Sequence, residues 1–118
     1  MTRTPEMLRS ARDFAAVGRS EVVRSDARLS ARFARTERDG IRFGISTSRR
    51  LGGAVVRNRI RRRIRESLRA LAPRLEPGYD ILLVARPASA TASQAELAAT
   101  LERLLSRGGA LHKERTEG

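Results

Sequence analysis

The sequence predicts a small α+β domain, with one sheet of about four strands and three helices in the order αβββαβα. Three observations predict this class. Apolar and polar residues alternate in two runs, 28–35 and 41–47. A third run, 79–85, is almost continuously apolar. Segment 54–71 and the segment that follows Ser93 carry apolar residues at helical spacing.

The length of the chain sets the number of domains. A chain of 118 residues has room for one ordinary domain. We therefore expect residues 1–118 to form a single domain, with flexible tails at 1–6 and 109–118. Hydrophobic residues make up 40% of the chain and aromatic residues only 3%, so aliphatic side chains must fill the core.

The first half predicts a helix followed by two or three strands. Residues 7–17 form a weak helix candidate that Gly18 ends, and a short edge strand is expected at 21–24. The two alternating runs predict strands with one buried face and one polar face that carries Arg and Ser. Asp39-Gly40 lies between these runs, which favours a β-hairpin.

The second half predicts the order helix, strand, helix. Segment 54–71 is the strongest helix, and run 79–85 suits a central strand buried on both faces. A helix of this length joins parallel strands that are neighbours or near-neighbours. The last helix opens at a capping box, Ser93-x-x-Glu96, and ends at Gly108. One sheet with the helices on one face accommodates this order.

The composition argues against several classes of function. The absence of cysteine excludes disulfides, thiolate metal sites and cysteine nucleophiles. The one histidine, His112, lies in a polar tail, which argues against Ser-His-Asp catalysis and His-ligated zinc. No run approaches the roughly 18 apolar residues that span a bilayer, and no apolar secretion signal opens the chain. We expect a soluble, cytoplasmic protein that binds no membrane.

The charge balance points to a polyanionic partner. The chain has 25 Lys+Arg against 13 Asp+Glu, a formal net charge of +12. Its isoelectric point is near 11.8. Such an excess favours nucleic acid first and an acidic membrane surface second.

Helix 54–71 carries much of this charge. One stripe of it is apolar and spans about 120° of the helical wheel. The rest of its surface is basic, since Glu66 is the only acid. Like charges one turn apart repel by a few tenths of a kcal/mol, so an external anion is expected to neutralise them. The apolar residues are Val56, Ile60, Ile64, Leu68 and Leu71, and the basic residues are Arg57, Arg59, Arg61, Arg62, Arg63, Arg65 and Arg69.

Two other interpretations of this helix stay open. It could be a solvated charged face, which usually mixes the two signs of charge. It could also lie on anionic lipid as a basic amphipathic helix. The ratio of seven Arg to one Glu counts against the first interpretation. The second is disfavoured because the apolar stripe lacks Trp and Phe and the domain needs that stripe for its core.

Segment 50–66, RLGGAVVRNRIRRRIRE, resembles the signature of the bacterial ribonuclease P protein subunit. That family carries a basic-Asn-basic helix start, then paired basic residues, then Arg-Glu one turn on. The resemblance continues at 7–14 (Leu-basic…Asp-Phe), at 43–46 (Gly-aliphatic-Ser) and at 79–87 (Asp-aliphatic…Ala-Arg). The final Leu-rich helix also fits.

The resemblance implies a fold and a function. The fold would be similar to a ribosomal-protein domain with a left-handed crossover through the basic helix, although general statistics favour a right-handed one. The chain would be the protein subunit of the ribonuclease P ribonucleoprotein, an endonuclease that matures the 5′ end of tRNA. Its partners would be the ribonuclease P RNA subunit and precursor tRNA, with no obligate protein partner. The chemistry and the Mg²⁺ would belong to the RNA, with no catalytic residue, cofactor or metal on the protein.

The resemblance also implies two sets of binding residues. The set for the RNA subunit is Arg57, Asn58, Arg61, Arg62 and Arg65. The set for the 5′ leader, in a cleft between the first helix and the open sheet face, is Phe14, Arg32, Arg42, Ser46, Arg49, Arg50 and Arg86. Asn58 can donate and accept, so it could orient an Arg or bind a sugar or a hydrated metal, or it could instead cap the helix. Phe14 could either stack on the leader or belong to the core. Phe33 and Phe43 are expected in the core. The family often places a second aromatic where this chain has Gly18, which puts leader stacking in question.

Two other classes of function compete with this interpretation. One is a ribosomal or other structural RNA-binding protein, or a DNA-binding module, which the order and spacing of the basic helix disfavour. The other is a self-contained protein nuclease, which needs clustered carboxylates or histidines. The acids Asp13, Asp39, Glu66, Asp80 and Glu96 are scattered along the sequence and form no convincing pair.

Overall fold

The computed structural model describes residues 5–112. In chain order the strands and helices are β1 (Glu6–Met7), α1 (Ala11–Gly18), β2 (Val22–Ser25), β3 (Leu29–Arg35), β4 (Ile41–Ser46), α2 (Ala54–Leu71), β5 (Tyr79–Ala85) and α3 (Gln94–Arg107). Three short 3₁₀ turns connect them, at Arg49–Leu51, Ala72–Arg74 and Pro87–Thr91. The α+β class with three helices is confirmed.

The sheet has five strands where about four were expected. The additional strand is β1, whose residues Glu6 and Met7 pair in parallel with Arg42 and Phe43 of β4. Since these residues join the sheet, the helix expected from residue 7 begins only at Ala11. Its N-cap is Ser10, whose hydroxyl accepts the Asp13 N–H at 3.1 Å.

The strand order is β1-β4-β5-β3-β2. The expected hairpin between β3 and β4 is wrong, because β5 lies between them, antiparallel to β3 and parallel to β4. The apolar β5 occupies the centre of the sheet, and the loop with Gly40 bonds its start, since the Gly78 N–H donates to the Gly40 carbonyl at 2.8 Å. The expectation that β4 and β5 are parallel neighbours is confirmed. The handedness of the crossover stays a prediction.

The main core lies between the sheet and the pair α2 and α3. Leu29, Phe33, Phe43, Ile81 and Leu83 of the strands pack there against the two helices. The helices contribute Ile60, Ile64, Leu68, Leu97, Leu101, Leu104 and Leu105. The apolar stripe predicted for α2 therefore faces the core, and the placement of Phe33 and Phe43 in the core is confirmed.

Helix α1 packs on the opposite face of the sheet, so the expectation of all helices on one face is wrong. Gly44 lies on this opposite face, because its neighbour Phe43 faces the core. Its lack of a side chain lets α1 lie close to the sheet. A Cβ at Gly44 would lie 2.6 Å from Cε1 of Phe14 and 3.0 Å from Cδ1 of Leu8. The missing side chain therefore provides the space in which α1 sits.

The residues that follow α3 pack into the core, although a loose tail was expected from residue 109. Ala110 and Leu111 are buried, and Leu111 forms a β-bridge with Leu75. The Glu76 N–H donates to the Ala110 carbonyl at 2.8 Å. An apolar pair in this position closes one end of the core. Residues 1–4 and 113–118 of the expected tails lie outside the described residues.

We expect Gly44→Ala to destabilise the fold by roughly 1–3 kcal/mol, because its methyl group forces the Phe14 ring off the sheet. Urea unfolding measures this difference. Gly18→Ala is the matched control, since nothing lies within 4 Å of a Cβ at Gly18. Equal losses in the two variants would contradict the packing described for α1.

Asp26 predicts an acid-sensitive contribution to stability. Burial raises the pKa of Asp26, but N–H donors from Leu29 and Arg28 and the Arg103 and Thr100 side chains outweigh burial and hold that pKa below its usual value. A lowered pKa contributes stability that is present above the unfolded-state pKa, about 3.9. That contribution is lost as the pH falls through the folded-state pKa.

We therefore expect Asp26→Asn to lower the free energy of unfolding by about 1–2 kcal/mol at pH 7. The difference in free energy of unfolding between wild type and variant should shrink as the pH falls below about 3.9 and through the folded-state pKa. Denaturant unfolding at a series of pH values measures the gap. A gap that stays constant or widens on acidification would show that the carboxylate charge contributes nothing.

Candidate nucleic-acid interface

The exposed surface of α2 is a strip of arginines. Successive helical residues turn by about 100°, which places Arg61, Arg65, Asn58, Arg69 and Arg62 within an arc of about 100° opposite the core. We call these five residues the outward strip. Arg57, the remaining member of the predicted set, borders it next to the apolar stripe. The helix thus brings the predicted RNA-binding residues together on one side.

No carboxylate neutralises this strip among residues 5–112. The ion pairs found there join Arg28 to Glu96, Arg42 to Asp13 and Asp80, Arg74 to Glu102, Arg103 to Asp26 and His112 to Glu76. None of these pairs includes a residue of α2. The paired acids are engaged elsewhere, so the positive field of α2 is directed at solvent.

Asn58 orients an arginine and does not cap the helix. The N-cap of α2 is Gly53, and Asn58 lies in the second turn. Its Oδ1 accepts a hydrogen bond from Nη1 of Arg61 at 3.2 Å. The capping alternative for Asn58 is therefore wrong, and the orienting role has a contact to support it.

Sequence reasoning did not separate the arginines of α2 into two groups. Arg59 and Arg63 lie on the other flank and donate to the carbonyls of Ala90 and Ala92. Arg69 was not among the predicted binding residues, although it continues the outward strip one turn beyond Arg65. The spacing i, i+4 from Arg65 was the signal that could have found it.

The open face of the sheet forms the candidate cleft beside α1. Cross-strand neighbours line this face in rows: Arg32, Leu82 and Gly44 form one row, and Ser30, Val84 and Ser46 the next. Helix α1 covers the first row near Gly44. Val84 and Ser46 of the second row remain exposed, so small or aliphatic side chains form this part of the floor of the cleft.

Phe14 stands at the junction of α1 and the sheet. Its ring packs over Gly44 and is half-buried, outside the core cluster that α2 and α3 form with the sheet. Gly18, one turn later, is exposed and has open space beside it. One aromatic ring therefore borders the cleft on the α1 side.

Arg42 is engaged within the protein. Its Nε and Nη2 donate to the two carboxylate oxygens of Asp80 at 2.9 and 2.6 Å, and its Nη1 reaches Asp13 at 3.3 Å. The hydrogen bond to Asp80 is the main cause that holds the pKa of Arg42 above its usual value. This side chain is 13% exposed. The geometry disagrees with leader binding by Arg42 and indicates a tie between α1 and the sheet.

The other cleft arginines keep their charge available. Arg32 is half-buried and donates to the carbonyl of Ser20. Arg49 and Arg50 are exposed on the first 3₁₀ turn, and Arg86 is exposed at the start of the third. The first and third 3₁₀ turns contact each other at the carboxyl ends of β4 and β5. These three exposed arginines thus stand at one end of the cleft.

Two classes of site have no candidate in the described part of the chain. Within residues 5–112, no group of three or more His, Cys, Asp or Glu side chains could hold a metal ion. None of the helices described there has both the length and the apolar character needed to cross a bilayer.

Comparison with known proteins identifies relatives over almost the whole chain. The family model for ribonuclease P matches residues 2–109. The ribonuclease P protein component of Chloroflexus aggregans is 41% identical over 116 residues, which cover 98% of this chain and 86% of that protein. The corresponding protein of Roseiflexus castenholzii is 52% identical over 69 residues, 58% of this chain and 57% of that protein. The chain thus spans little more than half the length of the two Roseiflexus relatives it matches.

Solved structures share the fold. The RNase P protein of Staphylococcus aureus superposes with a TM-score of 0.82 at 25% identity, covering 90% of this chain and 97% of that one. The RNase P protein from Thermotoga maritima gives a TM-score of 0.79 at 26% identity, with 86% and 96% covered. Because the family model spans nearly all of the chain and these proteins have the same architecture, the chain belongs to the ribonuclease P protein family.

Proposed function

We propose that this chain is the protein subunit of a ribonuclease P ribonucleoprotein, which removes the 5′ leader of precursor tRNA. The observation that carries the proposal is the outward strip of α2, whose arginines have no carboxylate partner among residues 5–112. Family membership supports the same assignment. The protein would act in the cytoplasm, where precursor tRNA is processed.

The outward strip would bind the RNA subunit. Guanidinium groups bind phosphate oxygens through two parallel hydrogen bonds, and they stay charged at any physiological pH. Arg65 lies one turn after Arg61 and Arg62, so the three arginines can contact phosphates along one RNA segment or bridge two segments that repel each other. Binding would release condensed counterions, which makes the affinity depend on salt.

The cleft between α1 and the open sheet face would hold the 5′ leader. Single-stranded nucleic acid binds where a positive groove follows the backbone and where bases find flat surfaces. Arg49, Arg50 and Arg86 supply positive charge at one end, and the half-buried Phe14 ring supplies one flat surface. With a single aromatic at the cleft, we infer that phosphate contacts contribute more to leader binding than base stacking does.

The catalytic chemistry would belong to the RNA subunit, with Mg²⁺ at the RNA active site. The described acids support this division of labour. Asp13 and Asp80 share one partner, the guanidinium of Arg42, which neutralises them. A hydrolytic centre on the protein would need carboxylates or histidines free to bind a metal or to move a proton.

We expect the purified chain alone to leave precursor tRNA uncleaved. Addition of a bacterial ribonuclease P RNA at low Mg²⁺ should give cleavage at the mature 5′ end, and the RNA without the chain should be slower under the same conditions. Gel analysis of end-labelled precursor tRNA measures both. Cleavage by the chain alone in the presence of a chelator would contradict the proposal.

We expect neutralisation of Arg61, Arg62 and Arg65 together, each to Gln, to reduce the salt dependence of affinity for the RNA subunit. Each lost phosphate contact lowers the slope of log K against log salt by about one unit. Filter binding over a range of salt concentrations gives the slope.

The matched control for this variant neutralises Arg19, Arg38 and Arg107, which are exposed and lie outside α2. Both triple variants remove three positive charges, so a difference between them reports position and not net charge. If the two variants changed the slope equally, the outward strip would not be the interface.

A further inference from the structure

Arg59 and Arg63 bond to the protein's own backbone. They lie one turn apart on the flank of α2 that faces the connection between β5 and α3. Nη2 of Arg59 donates to the carbonyl of Ala90 at 3.1 Å, and Nη1 of Arg63 donates to the carbonyl of Ala92 at 2.6 Å. Both side chains belong to half-buried residues, whereas Arg62 and Arg65 are exposed.

Arg63 is the centre of a larger hydrogen-bonded network. Its own carbonyl accepts from Nε2 of Gln94 at 2.7 Å and from Oγ of Ser67 at 2.8 Å. Nε2 of Gln94 also donates to Oγ of Ser67 at 2.8 Å. Ser67 is only 3% exposed. The network therefore fastens the middle of α2 to the first residues of α3.

The segment held by these contacts carries a cleft arginine. The 3₁₀ turn Pro87–Thr91 starts directly after Arg86, and the N–H and Oγ of Ser89 both bond the Arg86 carbonyl, at 2.9 and 2.7 Å. The same turn contacts the turn that bears Arg49 and Arg50. Displacement of Pro87–Thr91 would therefore move the arginines at that end of the cleft.

The carbonyl groups of Ala90 and Ala92 are good acceptors for the guanidinium groups of Arg59 and Arg63. Ala90 lies near the end of a 3₁₀ turn and Ala92 just beyond it, where carbonyl oxygens have no helical partner and carry partial negative charge. Nε of Arg59 is also buried, without a hydrogen-bond partner among the described residues. Each guanidinium therefore directs one N–H at the backbone of this segment, and the burial of Nε keeps a second N–H of Arg59 away from an external phosphate.

We propose that Arg59 and Arg63 are positioning residues: they hold the turn that carries Arg86 and thereby set the geometry of the leader cleft, while the outward strip binds the RNA subunit. This inference rests on the proposed function. It divides one basic helix into a flank that binds RNA and a flank that shapes a second site.

The test compares Arg63→Met and Arg63→Lys in the enzyme reconstituted with a bacterial ribonuclease P RNA. Lys keeps an N–H donor on a long side chain for the Ala92 carbonyl, whereas Met keeps only the bulk of the side chain. The readouts are the affinity for the RNA subunit with its salt slope, and the ratio of affinities for precursor tRNA and leaderless mature tRNA.

We expect Arg63→Met to lower the precursor-to-mature affinity ratio by roughly two- to tenfold, the range that corresponds to the net worth of one hydrogen bond. Arg63→Lys should restore most of that ratio. Both variants should leave the salt slope for the RNA subunit within about half a unit of wild type. Arg62→Met is the matched control, and it should lower the slope by about one unit.

Two results would overturn the inference. One is an unchanged precursor-to-mature ratio in Arg63→Met. The other is a lower salt slope in Arg63→Met, which would make Arg63 a direct phosphate contact. If Arg63→Met loses cooperative unfolding, Arg59→Met and Arg59→Lys, which change a single 3.1 Å bond, decide by the same criteria. Failure of the wild-type chain to support cleavage would count against the proposed function instead.

Discussion

Burial of the apolar stripe of α2 is the constraint on which the rest of the structure depends. Ile60, Ile64 and Leu68 are almost completely buried between the sheet and α3. Their burial fixes the rotation of the helix about its axis. Because a helical residue cannot turn independently of its neighbours, the same rotation directs Arg62 and Arg65 to solvent. The direction of the positive charge is therefore a consequence of hydrophobic packing.

The distribution of acids completes this arrangement. Asp26, Glu96 and Glu102 pair with arginines that fasten the β2–β3 turn, α3 and the 3₁₀ turn after α2 to one another. Pairs of this kind, which are partly exposed, contribute little stability each. Their larger effect on function is that these acids are engaged away from the outward strip, which keeps its positive field.

Much of the fold could be predicted from the sequence, because the pattern of its long elements is local. The bounds of α2 and β5 match the expected 54–71 and 79–85. The capping box at Ser93 and Glu96 is formed as expected. The order of strands could not be read in the same way. Asp39-Gly40 is a local hairpin signal, but insertion of β5 between β3 and β4 is a long-range pairing that no short segment encodes.

The candidate site could be predicted only in part, because arginine serves three purposes in this chain and its residue type is the same in each. Arg42 meets carboxylates and ties α1 to the sheet; Arg63 meets a carbonyl and holds a turn; Arg62 meets solvent. What separates them is the acceptor that the fold brings within reach, and that depends on tertiary packing. An exposed guanidinium without an acceptor is the one that an external phosphate can neutralise, so the arginines that the fold leaves unsatisfied are the candidates for binding.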